Sequence, residues 1–334
     1  MLPQRLRRTF DQAKTRAKSS ETLYSLVYDV VNAGEFSDLY EHEKMLADSV
    51  RIDNYAAAIH RHVSSDDVVV DLGTGTGILA ILAAREGATV YAIDHSEFIE
   101  VAELVAEHNG VTDIDFRQVH SKDFSCPEPV DILLHEQMGD DLFNENLVEN
   151  VLDFKERCLA DDARILPGRF ELFLEPVTLT DDERFPFIHE LSVAGVDFGV
   201  LENHPLLDPY KSTGYERRFA DASAVDGFLS TPEPILSFDL NDMGNGDDLP
   251  PELTASRRVD RAGVMDGLCL FFGVTFDDDT HFDTSPFHTN TSWRNRVLRT
   301  PQREYATDDE IAYTVDIDFL TNTGMWEVDV HGST

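Results

Sequence analysis

The hydrophobic pattern of this chain changes character twice. Near the start, Leu23, Leu26, Val27, Val30 and Val31 recur at helical spacing, which predicts an amphipathic helix with one packed face. Helix continues over residues 42–51, His-Glu-Lys-Met-Leu-Ala-Asp-Ser-Val-Arg. Beyond it the apolar residues gather in short unbroken runs, Val68–Val70, Thr89–Ile93 and Val130–Leu134, with helical segments between them. A strand covered on both faces reads as such a run, so the alternation through residue 165 predicts a doubly wound parallel sheet. Its ligand belongs at the carboxyl ends of the strands. After Ile165-Leu166-Pro167-Gly168 the texture shifts again. Phe170–Leu174, Leu268–Phe276, Ala312–Phe319 and Met325–Val330 are rich in β-formers and separated by Asp, Gly, Pro and Asn clusters, as in an all-β sandwich or barrel. Between them, residues 181–225 are poorly periodic yet contain Phe185, Phe187, Phe198, Leu201, Leu206 and Leu207. Such a segment is either an arm that docks on another surface or a loop folded back on its own domain.

Charge narrows the class. The 334 residues include 64 acids and 27 bases, for a net charge of −37. The excess is dispersed, and only six residues are Lys. Dispersed acid with little Lys is typical of salt-accumulating organisms, where self-repulsion is screened and carboxylates keep the surface hydrated. A halophilic archaeon is therefore the expected source; an ordinary acidic enzyme is the plainer alternative. The charge disfavours nucleic acid and anionic membranes as partners and suits a cationic substrate. Cys126, Cys158 and Cys269 are odd in number and have no metal-ligand spacing, so reduced thiols in a cytoplasmic protein without a metal are expected. Residues 1–20 are basic but lack the apolar core of a signal peptide, and no apolar run is long enough to span a bilayer.

The candidate chemistry begins at the first strand. Asp71 stands at its carboxyl end, and Gly73, Gly75 and Gly77 make a tight turn into an apolar helix, Ile78, Leu79, Ile81 and Leu82. Glycines belong there because a Cβ would hold a ligand away from the backbone amides. A dinucleotide fingerprint would need another glycine in place of Ile78, so the spacing fits S-adenosylmethionine better. The second strand ends in Asp94, placed to accept from both ribose hydroxyls. The last strand of the alternating region runs into His135-Glu136-Gln137-Met138-Gly139, followed by Asn144-Glu145-Asn146. Two glutamates nine residues apart on a strand-end loop converge on one pocket, where each accepts a two-pronged pair of N–H bonds from a guanidinium. The bland alternative is a loop of solvated acids. Asp140 and Asp141 beside the glutamates read as acids of composition.

With these pieces in order, residues 40 to 334 resemble the protein arginine methyltransferases, class I enzymes using S-adenosylmethionine. His42-Glu43-Lys44-Met45-Leu46 matches the family's His-Glu-x-Met-Leu segment, and Arg51 its cofactor-carboxylate arginine. Asp71–Leu79 matches the glycine-rich motif, and Glu136-Gln137-Met138-Gly139 with Glu145 the double-glutamate loop. Phe282–Pro286 and Thr291-Ser292-Trp293 resemble the barrel segment ending in Thr-His-Trp. The helical spacing near the start gives a helical segment over 1–35; the resemblance implies a Rossmann-like cofactor domain over 36–166 and a β-barrel-like substrate domain over 167–334 with a dimerisation arm at about 181–225. It implies Glu136 and Glu145 as catalytic residues. It implies a cofactor site of His42, Met45, Arg51, Asp71, Gly73, Gly75, Gly77, Asp94, Ser96, Ser121, Lys122 and Asp123. The partners implied are an arginine-containing protein and a second copy of the chain.

Departures from the family pattern keep rivals open. Ser292 replaces the histidine, although Asp48, its usual partner, is retained. Asn32, Ala33 and Leu39 stand where aromatic residues usually cover the substrate, Gln137 where Trp is common, and Lys122 where an adenine-contacting Glu is usual, with Asp123 as a substitute. A methyltransferase acting on another side chain or a small amine is one alternative; a cofactor-binding protein whose chemistry has decayed is another.

Overall fold

In the computed structural model, the residues described are 39–331, apart from Phe185, Asn203, 206–214, Ala220, Asp221 and Asn245. The helix expected over residues 23–31 lies outside them, as do Asn32, Ala33, Leu206 and Leu207. The described chain opens with α1 (Leu39–Ala47) and α2 (Ser49–His62). The single helix expected over 42–51 is divided at Asp48, whose extended backbone and carboxylate cap α2 by accepting the Arg51 N–H at 3.1 Å.

Five strands follow, β1 (Val68–Leu72), β2 (Thr89–Asp94), β3 (Ile114–Gln118), β4 (Val130–His135) and β5 (Leu159–Leu166). They form one parallel sheet in the order β3-β2-β1-β4-β5. Helices α3 (Ile78–Arg85), α4 (Phe98–His108) and α5 (Leu147–Cys158) connect them. The central strands bury Val69, Val70, Leu133 and Leu134 completely, which is why they appear in the sequence as plain apolar runs. β1 lies between β2 and β4, so the chain leaves it in one direction and returns on its other side. The crevice at that reversal is where an open α/β sheet receives a ligand.

The rest of the chain is an antiparallel β domain. Its larger sheet has the backbone order β10-β6-β13-β15-β9, from β6 (Arg169–Leu179), β9 (Tyr215–Phe219), β10 (Val225–Phe228), β13 (Gly263–Thr275) and β15 (Asn295–Tyr305). β11 (Leu236–Asp239) pairs with β6, and β14 (His281–Asp283) with β13. A second sheet joins β12 (Glu252–Arg258), β16 (Glu310–Asp316) and β17 (Glu327–His331). Within 181–202 the chain makes short turns and one hairpin, β7 (Ser192–Val193) with β8 (Val196–Asp197). The two regions share a core: Phe143, from the loop after β4, stacks on Phe238, which stacks on Phe170 of β6. At another seam, His62 and Arg61 of α2 hold Asp277 of the β13–β14 turn.

The cysteines correct an expectation. Cys126 and Cys158 are joined as a disulfide, with Cα atoms 5.7 Å apart, and Cys269 is free and buried. Their separation of 32 residues gave no hint of contact, because the parallel crossover brings the end of α5 back beside the loop after β3. Arg157 reinforces that junction, donating to the carbonyls of Ser121 and Phe124, each at 2.8 Å.

Candidate active site

The glycine-rich turn is built by β1 and closed by β2. Gly73 and Thr74 both donate their N–H to the Ile93 carbonyl, at 2.9 and 3.0 Å, while Gly73 (φ +75°) and Gly75 (φ +52°) take left-handed backbone. A Cβ on Gly75 would sit 3.1 Å from the His42 ring, and one on Gly73 would sit 2.9 Å from Gln137 Nε2. His42 reaches over the turn from α1 and stacks on Phe98, with ring centroids 3.9 Å apart. Asp94 binds the turn from below: its Oδ2 accepts the Gly75 N–H at 2.9 Å, and its Oδ1 accepts the Ser96 N–H and hydroxyl at 2.8 and 2.7 Å.

These groups wall one cavity at the sheet's reversal. The glycine turn and the end of β2 contribute Gly73, Gly75, Asp94 and Ser96 to its lining, α1 and α2 contribute His42, Met45 and Arg51, and the segment after β3 contributes Ser121 and Lys122. Glu136 and Glu145 both face the same space. Three expected cofactor residues fall elsewhere. Asp71 is buried under the turn, where its Oδ2 accepts the Thr74 hydroxyl at 2.5 Å and the Ala80 N–H at 3.1 Å; it shapes the turn and the start of α3. Gly77 (φ +82°) faces α4, and a Cβ there would meet Ala102 Cβ at 2.9 Å, so this glycine serves helix packing. Asp123 is exposed and absent from the wall, next to Ser121 and Lys122, which line it. Gln137, Asn146, Asn150, His95 and His120 also line the cavity and were not expected. Asn150 donates to Gln137 Oε1 at 2.9 Å, which joins α5 to the loop; an Asn one turn into a helix carries no sequence signal for that contact.

On the cavity wall, Arg51 and Glu136 form an ion pair, and the Arg51 guanidinium lies 5.1 Å from the centre of the Trp293 ring. Trp293 donates its indole N–H to the Met138 carbonyl at 2.6 Å. Glu136 Oε1 is shut off from solvent and accepts no hydrogen bond among the described residues. Burial pushes the Glu136 carboxyl up to about 7, against the pull of Arg51 and with added repulsion from Asp48. Burial likewise raises Asp71 to about 7, opposed by its bonds from Thr74 and Ala80. Desolvation lowers His135 to about 4, its Nε2 donating to the Pro167 carbonyl at 2.8 Å. Asp48 keeps a partner despite the missing histidine: its Oδ2 accepts the backbone N–H of Ser292 at 2.7 Å. Leu39, at a position expected to have lost an aromatic cover, is exposed at the start of α1.

The cavity has features that suit S-adenosylmethionine: a glycine turn with no room for a Cβ, an acid at the end of β2, and a buried arginine on its wall. Residues 63–176 match the methyltransferase domain family. Over 78% of its length, this chain is 32% identical to protein arginine N-methyltransferase 1 of Schizosaccharomyces pombe, covering 76% of that protein. It is 28% identical to protein arginine N-methyltransferase 6 of Xenopus laevis, with 89% and 86% of the two chains covered. Among solved structures, a chain of the Trypanosoma brucei PRMT1 enzyme–prozyme heterotetramer with AdoHcy superposes with a TM-score of 0.72 at 25% identity, covering 89% of this chain and 95% of that one. No helix among the described residues is long and apolar enough to cross a membrane. The chain belongs to the protein arginine N-methyltransferase family, whose cofactor is S-adenosylmethionine.

Proposed function

We propose that the protein transfers methyl groups to a guanidinium nitrogen of arginine in a protein substrate. The observation that carries this reading is the buried Oε1 of Glu136, an acceptor on the cavity wall with no donor among the described residues, on the same loop as Glu145. When bound, S-adenosylmethionine supplies a methyl held on a positively charged sulfur. Gly73, Gly75 and Asp94 would hold its nucleoside end, and Arg51 its carboxylate. Glu136 and Glu145 would accept N–H bonds from two guanidinium nitrogens and draw the positive charge toward them, leaving electron density on the third. Fixing that nitrogen in line with the methyl supplies most of the rate. As the nitrogen–methyl bond would form and the sulfur–methyl bond break, that nitrogen would lose one proton; Ser292 offers no imidazole to take it, so the proton would pass to water. The experiment is methyl transfer from labelled cofactor to arginine-containing peptides, analysed after hydrolysis. Methylarginine is the expected product; label on another residue or on a free amine overturns the reading.

The same proposal includes a homodimer joined through the arm. Ile188, Val193, Val196 and Val200 are exposed within it, and Val101 and Leu104 are exposed on α4, which supports docking of one surface on the other in a second copy. Light scattering in molar salt should give twice the chain mass; a monomer at micromolar concentration counts against it. The charge of −37 supports a salt-rich cytoplasm as the working environment. The melting temperature should then be higher at 1 M salt, where the Debye length is about 3 Å, than at 0.01 M, where it is about 30 Å. Equal values would refute the salt requirement.

A further inference from the structure

The loop between β4 and α5 carries four acids, Glu136, Asp140, Asp141 and Glu145; the two aspartates are not part of the cavity wall, and one of them, Asp141, is buried, only 2% exposed. Its Oδ2 lies 2.9 Å from Nη1 of Arg296 on β15 and accepts the Thr323 hydroxyl at 2.6 Å. Arg296 also donates to Thr323 Oγ1, so three buried side chains from three separate stretches close a ring. Asp141 is therefore a buried, ion-paired acid and not the acid of composition that its place beside Asp140 suggested. Three residues earlier, the same loop is tied by the Trp293 indole to the Met138 carbonyl. Directly after Asp141, Leu142 donates its N–H to the Gly139 carbonyl at 2.9 Å with φ +69°, a backbone that a bulky residue keeps only where its surroundings impose it.

We propose that Asp141 is a positioning residue: anchored by Arg296 and Thr323, it fixes the crest of the loop so that Glu136, five residues before it, and Glu145, four after it, face the cavity at a set separation. The claim rests on the reading that these glutamates hold the guanidinium. Electrostatics explains why the anchor is an ion pair. A third unneutralised carboxylate between two glutamates would push the loop open, whereas one matched by Arg296 adds no repulsion and cannot leave its partner without exposing a buried charge.

The test compares Asp141→Asn with Glu175→Gln, which disturbs a buried ion pair remote from the loop, Glu175–Arg257, at 3.0 Å within the β domain. Kinetics are read well below the lower melting temperature. Asp141→Asn should lower kcat/KM for an arginine peptide at least tenfold while the Kd for AdoHcy stays within twofold, and Glu175→Gln should leave both within twofold. Thr323→Val, which removes one neutral donor, should fall between them and serves if Asp141→Asn does not fold. An effect of Asp141→Asn no larger than that of Glu175→Gln, or a parallel loss of AdoHcy affinity, overturns the proposal. Should the unmodified protein form no methylarginine, the functional reading fails, and hydrogen exchange decides the positioning claim separately. Amides 138–146 exchanging faster in Asp141→Asn than in Glu175→Gln support it; equal rates overturn it.

Discussion

Arg51 and Glu136 are ion-paired under the face of Trp293, and both belong to the wall of the same cavity. One guanidinium thus neutralises the acid that would receive another, and the cofactor's carboxylate would compete for the same arginine. Replacing Arg51 with Ala removes the cation from both. Cofactor affinity should fall tenfold or more, about 1.4 kcal/mol. The activity profile should also move to higher pH, since the pull that opposes the burial of Glu136 is gone. Calorimetry and pH–rate curves on Arg51→Ala check both; an unchanged profile would show that Arg51 does not set the ionisation of Glu136.

Glu136→Gln and Glu145→Gln keep shape and remove charge. Each should cut turnover by a hundredfold or more, in keeping with about 2–5 kcal/mol for a desolvated charge-assisted clamp, and Glu145→Gln should leave AdoHcy binding nearly unchanged, whereas Glu136→Gln also releases Arg51. Asp161→Asn, at an exposed acid of β5, is the control and should cost nothing measurable. Equal losses in all three would make the loop a generic acidic surface.

Gly75→Val places a branched side chain in left-handed backbone (φ +52°) and against His42, whose ring would lie 3.1 Å from the new Cβ. The variant should retain its fold and lose cofactor binding. Heat of binding equal to that of the unmodified protein would mean that the turn does not hold the cofactor.

The buried Asp71 makes stability depend on pH in a defined direction. Its pKa is about 7 in the folded protein against 3.8 for the ordinary group, so the stability it contributes is present below the ordinary value and is lost as pH rises through 7. His135 works the other way, its neutral buried ring costing stability as pH falls from 6.5 toward 4. Above pH 6.5 only the carboxyls contribute among these groups. In molar salt, the melting temperature should decline between pH 6.5 and 8, and Asp71→Asn should flatten that decline. A decline of the same size in Asp71→Asn would assign it to other groups.

The fold was legible where burial makes residues uniform. The runs at Val68, Thr89 and Val130 became β1, β2 and β4 because central parallel strands exclude polar side chains on both faces. β12 and β15 escaped notice for the opposite reason: Glu252–Arg258 exposes every second residue, and Asn295–Tyr305 carries three arginines. In the site, Glu136 and Glu145 line one cavity, the arrangement their spacing on a strand-end loop suggested, and Asp94 accepts the Gly75 N–H. Spacing could not separate Gly77 from Gly75, because packing against α4 and approach to a ligand require the same residue. Nor could it tell Asp141 from Asp140, since the partner that buries one of them lies 155 residues away on β15.

Helix α5 touches both ends of the cavity. Its first turn follows Glu145 and joins Gln137 through Asn150, and its last residues hold the Ser121–Cys126 segment through Arg157 and the disulfide. Twelve residues of helix make a rod about 18 Å long. The loop that carries Glu136 and Glu145 and the segment that carries Ser121 and Lys122 are therefore mounted on a single strut. The distance between the two is set by a helix length, which the chain holds constant, and not by loops.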